Sequence, residues 1–367
     1  MLPSFQSPED KGWSHGSADC VRRHLQAGSL RGRSADKTPE AYLVLSGEAL
    51  YRMDYNDVLK THNETGADIT IVTTRRRLGD VDGQNLGICS VVENGTKVFD
   101  FKEKPSLGEL KKMAVCASEV MDLEDCDLTV NMGVYIFSKK AMDNLVNVIE
   151  CIDDGASLDF GKHIIPMALS QHYNVQAHYH EGYWQPVHTL RDWYHANLGL
   201  CAPRTFLNGG SASSKNSKSV ASLLDNQYPI FTVPRCLPPA VFRGENYMEG
   251  SIISEGVVVG EECTIRDSIV GPCVVLGERC DIRETIFLGH PEFSYLHGDS
   301  VPDVGEGCVL KNVVVDSDVL IGAGCKITNE RKVMHEEVID EDGHGYVIDG
   351  GIITLLEGTV IAPGTVI

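Results

Sequence analysis

Three short polar segments, each next to an apolar stretch of strand length, carry the side chains best suited to ligand chemistry. They are residues 47–48, 103–105 and 183–188. Glu48, Glu103, Lys104 and His188 place carboxylates, an ammonium and an imidazole in these segments, and such groups bind polar and charged ligands. Because ligands collect at the carboxyl ends of the strands in an α/β sheet, these segments point to a binding site.

Apolar periodicity in the first half of the chain alternates between strands and helices. Residues 41–46 form a continuous apolar run, and Asp54 can cap a helix that Gly66 ends. Residues 68–74 form the next strand. This strand–helix–strand unit predicts a parallel pair of strands joined by a right-handed crossover.

The same alternation recurs further along the chain. A strand over 132–137 precedes a helix that Ser138 can cap, and an alternating stretch over 174–180 precedes a capping box of Thr189 and Asp192. Together these elements predict an α/β sheet with helices on its faces.

Aliphatic residues recur at intervals of six in the second half, which is typical of a hexapeptide parallel β-helix. The recurring positions are Ile253, Val259, Ile265, Leu276, Ile282, Leu288, Val309, Val315, Ile321, Ile327, Leu355, Ile361 and Ile367. A polar stretch rich in glycine and serine separates the two halves. We therefore expect a first domain over 1–205, a linker over 206–234 and a β-helix over 235–367.

Charge and hydropathy argue against two classes of partner. The chain has 32 Lys and Arg against 52 Asp and Glu, a net charge of −20, so a nucleic acid backbone would be repelled. No apolar run approaches the roughly 18 residues that span a bilayer, and no membrane helix is expected. The twelve cysteines contain no CxxC pair, which argues against a zinc ribbon.

Eight sequence blocks occur in a characteristic order along the whole chain. They are WSHGSAD at 13–19, VLSGEALYRMDY at 44–55, FKEKP at 101–105, NMGVYIF at 131–137, DFGKHIIP at 159–166, GYWQPVHT at 182–189, PIFT at 229–232 and LPP at 237–239. In this order they resemble the ADP-glucose pyrophosphorylase family, also called glucose-1-phosphate adenylyltransferase.

The resemblance implies a Rossmann-like nucleotidyltransferase domain, shortened at its N-terminus, followed by a left-handed parallel β-helix of hexapeptide repeats. It also implies that ATP and glucose 1-phosphate react to ADP-glucose and pyrophosphate, with Mg²⁺ as cofactor, in starch or glycogen biosynthesis. The family works as a homo- or hetero-tetramer of related subunits.

Several family positions can be transferred to this sequence by the resemblance. The family's sugar-phosphate contacts correspond to Gly87, Glu103, Lys104 and Asn131, with serine as the usual residue at position 131. The segment beside the nucleotide base corresponds to Gly16, Ser17, Ala18 and Asp19. Glu48 stands at the position of a catalytic, metal-binding aspartate, and Pro186 stands at that of a second one.

Both metal positions are therefore altered, because Glu48 is one methylene longer than aspartate and Pro186 has no side-chain oxygen. The family's glycine-rich phosphate loop has no counterpart in the 367 residues. We expect an impaired or non-catalytic subunit that assembles with an active partner. The alternative is a catalytic subunit whose recorded sequence lacks its start. The motifs resemble plant, algal and cyanobacterial members, which predicts a plastid location, or the cytoplasm for a bacterial source.

A β-helix also occurs in hexapeptide-repeat acyltransferases, which use a histidine of that domain as the base. The candidate bases here are His290, His297, His335 and His344. The order of the eight blocks favours the adenylyltransferase family, and acyl transfer from acetyl-CoA is the minor alternative.

Overall fold

The computed structural model describes residues 14–26, 39–80, 86–92, 95–115, 125–149, 158–201, 236–290 and 302–367. The chain divides into two compact units, Met1–Trp184 and Gln185–Ile367. The predicted linker lies outside the described residues, so the three predicted domain ranges stay predictions. Within the described ranges, no helix is long and apolar enough to cross a membrane.

The first unit is built around a six-stranded mixed sheet. Its helices and strands are α1 (Ser17–Gln26), β1 (Ala41–Leu45), β2 (Ala49–Tyr51), α2 (Tyr55–Thr65), β3 (Ile69–Arg77), β4 (Gly87–Val91), β5 (Val98–Glu103), α3 (Leu107–Met113), β6 (Asp127–Ser138), α4 (Lys139–Ile149), α5 (Ile165–Ser170) and β7 (Val175–Tyr179). A 3-10 turn spans Leu78–Asp80 and a π-helical turn spans Phe160–Ile164. The strand order is β5-β4-β6-β3-β7, and β1 also pairs with β6.

The unit β1–α2–β3 contains the predicted elements, but the predicted direct pairing of its two strands is wrong. Strand β6 lies antiparallel to both, with Ala41 opposite Ser138 and Ile69 opposite Phe137. β1 and β3 therefore run in the same direction without pairing. The pattern over 132–137 showed only the second half of the twelve-residue β6, because polar residues interrupt its first half.

The predicted helix boundaries in this unit are confirmed by hydrogen bonds. The Asp54 side chain accepts from the Asn56 backbone N–H at 2.9 Å, and Gly66 ends α2 in the left-handed conformation with φ 56°. The Ser138 hydroxyl accepts from the Ala141 N–H at 3.2 Å at the start of α4. Caps of this kind satisfy backbone groups that have no partner within the helix.

An aromatic cluster packs against the centre of the sheet. The Phe137 ring on β6 is fully buried, and its centroid lies 5.5 Å from that of Phe160. The Tyr135 ring stacks on Phe160 at 5.7 Å. The cluster therefore fixes the π-helical turn, which begins at Phe160, against β6.

Over its described residues, the second unit carries one helix and many short strands. Strand β8 (Trp184–Pro186) crosses into it from the first unit; the other elements are α6 (Leu190–Leu198), β9 (Val241–Phe242), β10 (Tyr247–Glu249), β11 (Ile252–Ile253), β12 (Val258–Val259), β13 (Thr264–Arg266), β14 (Ile269–Val270), β15 (Val275–Leu276), β16 (Asp281–Phe287), β17 (Val309–Val315), β18 (Leu320–Ile321), β19 (Lys326–Ile327), β20 (His335–Ile339), β21 (Gly345–Asp349), β22 (Ile352–Leu355) and β23 (Val360–Ile361).

Most of these strands stack in parallel, as the repeat predicted. Tyr247, Thr264 and Asp281 are successive neighbours across the stack, so one coil takes 17 residues. The step widens between Asp281 and Val309, where the chain has an insertion. A second insertion forms the antiparallel hairpin β20–β21.

The intervals of six identify most inward positions of the β-helix, but two are wrong. Leu288 is exposed and Val309 is only half-buried, whereas Phe287 and Leu310 are buried. The cause is the register: Leu310 pairs with the buried Ile282, and Val309 stands opposite an outward residue. Glu284 in β16 and Asn312 in β17 adopt the left-handed conformation. Each shortens the local spacing between inward residues from six to five.

The capping box at the start of α6 is confirmed. The Thr189 hydroxyl accepts from the Asp192 N–H at 3.1 Å, and the Asp192 carboxylate accepts from the Thr189 N–H at 3.1 Å. The buried face of α6 packs against the outer face of the β-helix. Their shared apolar cluster contains Tyr194, Leu198, Ile286, Val314 and Ile352.

Four cysteines occupy equivalent positions on successive coils of the β-helix interior. They are Cys263, Cys280, Cys308 and Cys325, and all four are buried. Their thiols donate to the backbone carbonyls of Gly277, Gly305, Gly322 and Ala362 at 3.1 to 3.3 Å. Each thiol thus fills a small corner and satisfies a buried carbonyl.

Candidate functional site

The carboxylate of Glu103 lies at the end of β5 in a half-buried position. Glu103 pairs with Gly87 across the β4–β5 ladder. Burial raises the pKa of the Glu103 carboxyl, the Lys104 ammonium opposes this effect, and the Asp159 carboxylate adds to it. These electrostatic effects arise because the fold brings the carboxylates of Glu103 and Asp159 and the ammonium of Lys104 to the same end of the sheet.

The Glu103 side chain occupies space that is open because Gly87 and Gly161 have no side chains. A Cβ atom at Gly87 would lie 2.7 Å from Glu103 Oε2 and 3.3 Å from Asn131 Nδ2. A Cβ atom at Gly161, on the π-helical turn, would overlap the Glu103 carboxylate. Gly87, Glu103 and Asn131, which the resemblance assigns to one sugar-phosphate site, therefore lie next to each other.

Asn131 is held in place by two hydrogen bonds. It is buried on β6, its Nδ2 donates to the Tyr135 hydroxyl at 2.8 Å, and its Oδ1 accepts from the Gly133 N–H at 3.0 Å. Burial raises the pKa of Tyr135, so this phenol stays protonated. The asparagine amide is consequently a fixed polar group beside Glu103.

Lys104 directly follows β5, where the chain leaves the sheet. Its backbone adopts the left-handed region with φ 49°, and its N–H donates to the Leu86 carbonyl at 3.1 Å. The side chain is exposed. A solvent-facing ammonium beside a half-buried carboxylate suits a ligand that carries both hydroxyls and a phosphate.

Glu48 lies in the turn after β1 and is connected to the same site through the backbone. The Glu48 N–H donates to the Ser46 hydroxyl at 3.1 Å, and the Ser46 N–H donates to the Gly133 carbonyl at 2.9 Å. Gly133 in turn donates to Asn131. The backbone of the exposed Glu48 is thus anchored through Ser46 and Gly133 to the strand that carries Asn131.

The predicted nucleotide segment, residues 16–19, packs against the start of the π-helical turn. Gly16 has φ 96°, and a Cβ atom there would lie 2.5 Å from the Leu158 carbonyl. The Ala18 N–H donates to that carbonyl at 2.8 Å. The Ser17 N–H donates to Asp159 Oδ1 at 3.1 Å.

Asp19 is buried and bound by two arginines of its own helix and by a backbone N–H just before the helix. Its carboxylate accepts from the His15 N–H at 2.9 Å and pairs with Arg22 and Arg23 at 2.6 and 2.9 Å. Burial alone would raise the pKa of Asp19, but these hydrogen bonds outweigh it and lower the pKa. The carboxylate therefore orders the start of α1, and these contacts occupy both of its oxygens.

Asp159 and Gly161 belong to the site, and the sequence reasoning did not include them among the site residues. Asp159 connects the nucleotide segment, through Ser17, to the neighbourhood of Glu103. Both residues lie in the sequence block at 159–166, which the sequence analysis had singled out. The distance along the chain between that block and Glu103 gave no indication that the fold brings them together.

Strand β8 contains the second altered metal position. Trp184 is buried, its carbonyl accepts from Arg76 Nη2 at 2.7 Å, and the guanidinium lies over its ring. The amide of Gln185 donates to the carbonyl of Pro186 at 3.2 Å. Pro186 therefore offers only its backbone carbonyl, which already accepts a hydrogen bond.

The donor set does not fit a magnesium site with two carboxylates. Among the described residues, no group of three or more His, Cys, Asp or Glu side chains could hold a metal ion. Glu48 supplies a carboxylate at one of the two positions carried over from the resemblance, and Pro186 supplies none at the other.

Three of the four candidate acyltransfer bases lie next to carboxylates. Both ring nitrogens of His290 face aspartates, and His335 Nδ1 lies 2.9 Å from Asp349. His344 Nδ1 lies 3.9 Å from Asp340. His297 lies outside the described residues.

Comparison with known families gives the class of protein. Residues 2–202 match the Nucleotidyl transferase family, and residues 235–366 match the GLGC left-handed parallel beta-helix domain. The predicted architecture, a nucleotidyltransferase domain followed by a left-handed β-helix, is confirmed. The chain belongs to the nucleotidyl transferase family, and its two domains together fit the glucose-1-phosphate adenylyltransferase family.

Replacing Gly87 with alanine is expected to weaken glucose 1-phosphate binding by about tenfold, equivalent to about 1.4 kcal/mol. The new methyl group would displace the Glu103 carboxylate and press on the Phe101 ring, 2.7 Å away. Isothermal titration of the full chain measures the affinity. Gly108→Ala is the matched control, because no atom lies within 4 Å of its added Cβ. Equal affinities for both variants would contradict the assignment.

Proposed function

We propose that this chain is a subunit of a glucose-1-phosphate adenylyltransferase that binds sugar phosphate but catalyses weakly or not at all on its own. The proposal depends on a contrast between the sugar-phosphate positions, which keep residues that can bind a ligand, and the two metal positions, which have lost their aspartates. Gly87, Glu103 and Asn131 lie next to each other, whereas Glu48 and Pro186 stand at the positions of the two expected aspartates.

The reaction of the family explains why this contrast matters. An oxygen of glucose 1-phosphate attacks the α-phosphorus of ATP and pyrophosphate leaves, so the reaction depends on positioning and on neutralising phosphate charge. In this chain, Glu103 and Asn131 can bind sugar hydroxyls, and Lys104 can neutralise the phosphate. The chain's own carboxylates do not complete the magnesium site. We therefore expect the chain to position glucose 1-phosphate better than it neutralises the phosphate charge of the reacting ATP.

The proposal extends to the assembly and the pathway. A subunit of this kind works in a homo- or hetero-tetramer with related, active subunits, and it serves starch or glycogen biosynthesis. The plant, algal or cyanobacterial character of the motifs supports a plastid location, and a cytoplasmic one applies to a bacterial source.

Equilibrium binding tests the proposal. Glucose 1-phosphate titrated into the purified full chain is expected to bind saturably, and glucose or inorganic phosphate alone is expected to bind more weakly. Glucose lacks the phosphate that Lys104 would neutralise, and inorganic phosphate lacks the hydroxyls that Glu103 and Asn131 would bind. Binding of glucose 1-phosphate no stronger than that of inorganic phosphate would contradict the proposed site.

A further inference from the structure

His290 occupies a buried corner of the β-helix at one end of an insertion. Its side chain is 4% exposed, and it follows Gly289, which turns the chain with φ 76°. The His290 N–H donates to the Pro272 carbonyl of the preceding coil at 2.9 Å. The backbone of this corner is therefore held by a hydrogen bond that does not involve the imidazole ring.

Both ring nitrogens of His290 face carboxylates. Nε2 lies 3.1 Å from Asp303 Oδ1, and Nδ1 lies 3.0 Å from Asp318 Oδ1. A neutral imidazole has one N–H and can donate to one of two ionised carboxylates, whereas the imidazolium donates to both. The geometry fits the charged ring, since each nitrogen then has an acceptor.

The two aspartates connect different parts of the β-helix. Asp303 lies at the other end of the insertion, and its Oδ2 accepts from the Val275 N–H of the preceding coil at 2.7 Å. Asp318 lies on the following coil, where the neighbouring Ser317 hydroxyl donates to the Gly289 carbonyl at 3.1 Å. His290 is the common partner of both carboxylates.

We propose that His290, in its imidazolium form, is a proton-dependent clamp that joins three successive coils of the β-helix at this insertion. Loss of one proton removes one of the two charge-assisted hydrogen bonds and leaves a carboxylate at the corner without that donor. The clamp therefore holds while the ring is protonated and loosens as the pH rises and the ring loses its second proton.

The charges around the ring support the direction of this switch. The hydrogen bond to Asp303 raises the pKa of His290, burial opposes it, and the charge of Asp303 and the contact with Asp318 add to the rise. Both aspartates lie within hydrogen-bond distance of the ring nitrogens, and both act in this direction. Because the folded pKa lies above the unfolded value of about 6.5, the stabilisation is complete below pH ~6.5 and is lost as the pH rises through the folded pKa.

Two measurements on the full chain test the clamp. Nitrogen-15 spectra of labelled histidine follow the protonation of both His290 nitrogens, with His290→Gln assigning the signal. Amide hydrogen exchange at Val275, Gly277 and His290, corrected for intrinsic rates, follows the opening of the corner. The opening constant is expected to rise between pH 6 and pH 9, by about tenfold for each unit that separates the folded from the unfolded pKa.

Asp318→Asn removes one of the two charges while Asp303 keeps its own contact, so the rise in the opening constant should become smaller. Asp349→Asn is the matched control, because it alters the exposed His335–Asp349 pair at 2.9 Å in the same unit. That control should leave the exchange at the corner unchanged. Titration of His290 at or below pH ~6.5, or the same pH dependence in Asp318→Asn as in the unaltered chain, would overturn the proposal.

Discussion

Replacing Phe137 with alanine is expected to lower the free energy of unfolding of the first unit by about 3–5 kcal/mol. The ring is fully buried on β6 and packs against Phe160 and Tyr135. Its removal leaves a cavity that a strand at the centre of the sheet cannot collapse to fill. Urea unfolding of the full chain, followed by fluorescence and by far-UV circular dichroism, measures the loss.

The exposed Phe99 on β5 provides the control for this prediction. Its side chain is 62% exposed, so Phe99→Ala is expected to change stability by about 0.5 kcal/mol or less. Phe137→Ala should also weaken glucose 1-phosphate binding, because Phe160 begins the turn that places Gly161 against Glu103. A loss of stability no greater than that of Phe99→Ala would refute the assignment of the ring to the core.

Replacing Lys104 with methionine is expected to weaken glucose 1-phosphate binding by about ten- to a hundredfold, equivalent to about 1.4–2.8 kcal/mol. The substitution keeps an unbranched side chain of similar length but removes the charge that neutralises the phosphate. Isothermal titration at two ionic strengths measures the effect, and the difference between the variants should shrink at high salt.

Lys60→Met is the matched control for Lys104→Met. Lys60 is an exposed lysine on α2 whose Nζ lies 3.9 Å from Glu64. Its replacement changes the net charge equally but should leave the affinity unchanged. If both variants bind alike, Lys104 contributes only to the overall electrostatic field and does not contact the phosphate.

Local sequence signals predicted the elements of the fold well. Asp54 and Gly66 mark the ends of α2 because capping depends on a few neighbouring residues. The repeat of six predicted a parallel β-helix because each coil of such a fold repeats the same inward positions. The resemblance then supplied Gly87, Glu103 and Asn131, which the fold brings together.

Features that depend on distant residues could not be predicted in the same way. The insertion of β6 between β1 and β3 is a property of the whole sheet, and the intervening helix gives no sign of it. Leu288 and Val309 follow the spacing of six but do not point inward, because a left-handed residue in β16 and another in β17 shorten the spacing of inward residues to five. Asp159 joins the site only because the π-helical turn packs beside β5.

Pyrophosphate release from ATP and glucose 1-phosphate, measured on the purified full chain, tests the central claim most directly. The unaltered chain is expected to release pyrophosphate at background rates, and the double variant Glu48→Asp, Pro186→Asp is expected to release it faster, because it restores both aspartates. Turnover by the unaltered chain of about 1 s⁻¹ or more, which is ordinary for an enzyme, would contradict the claim that it is an impaired subunit.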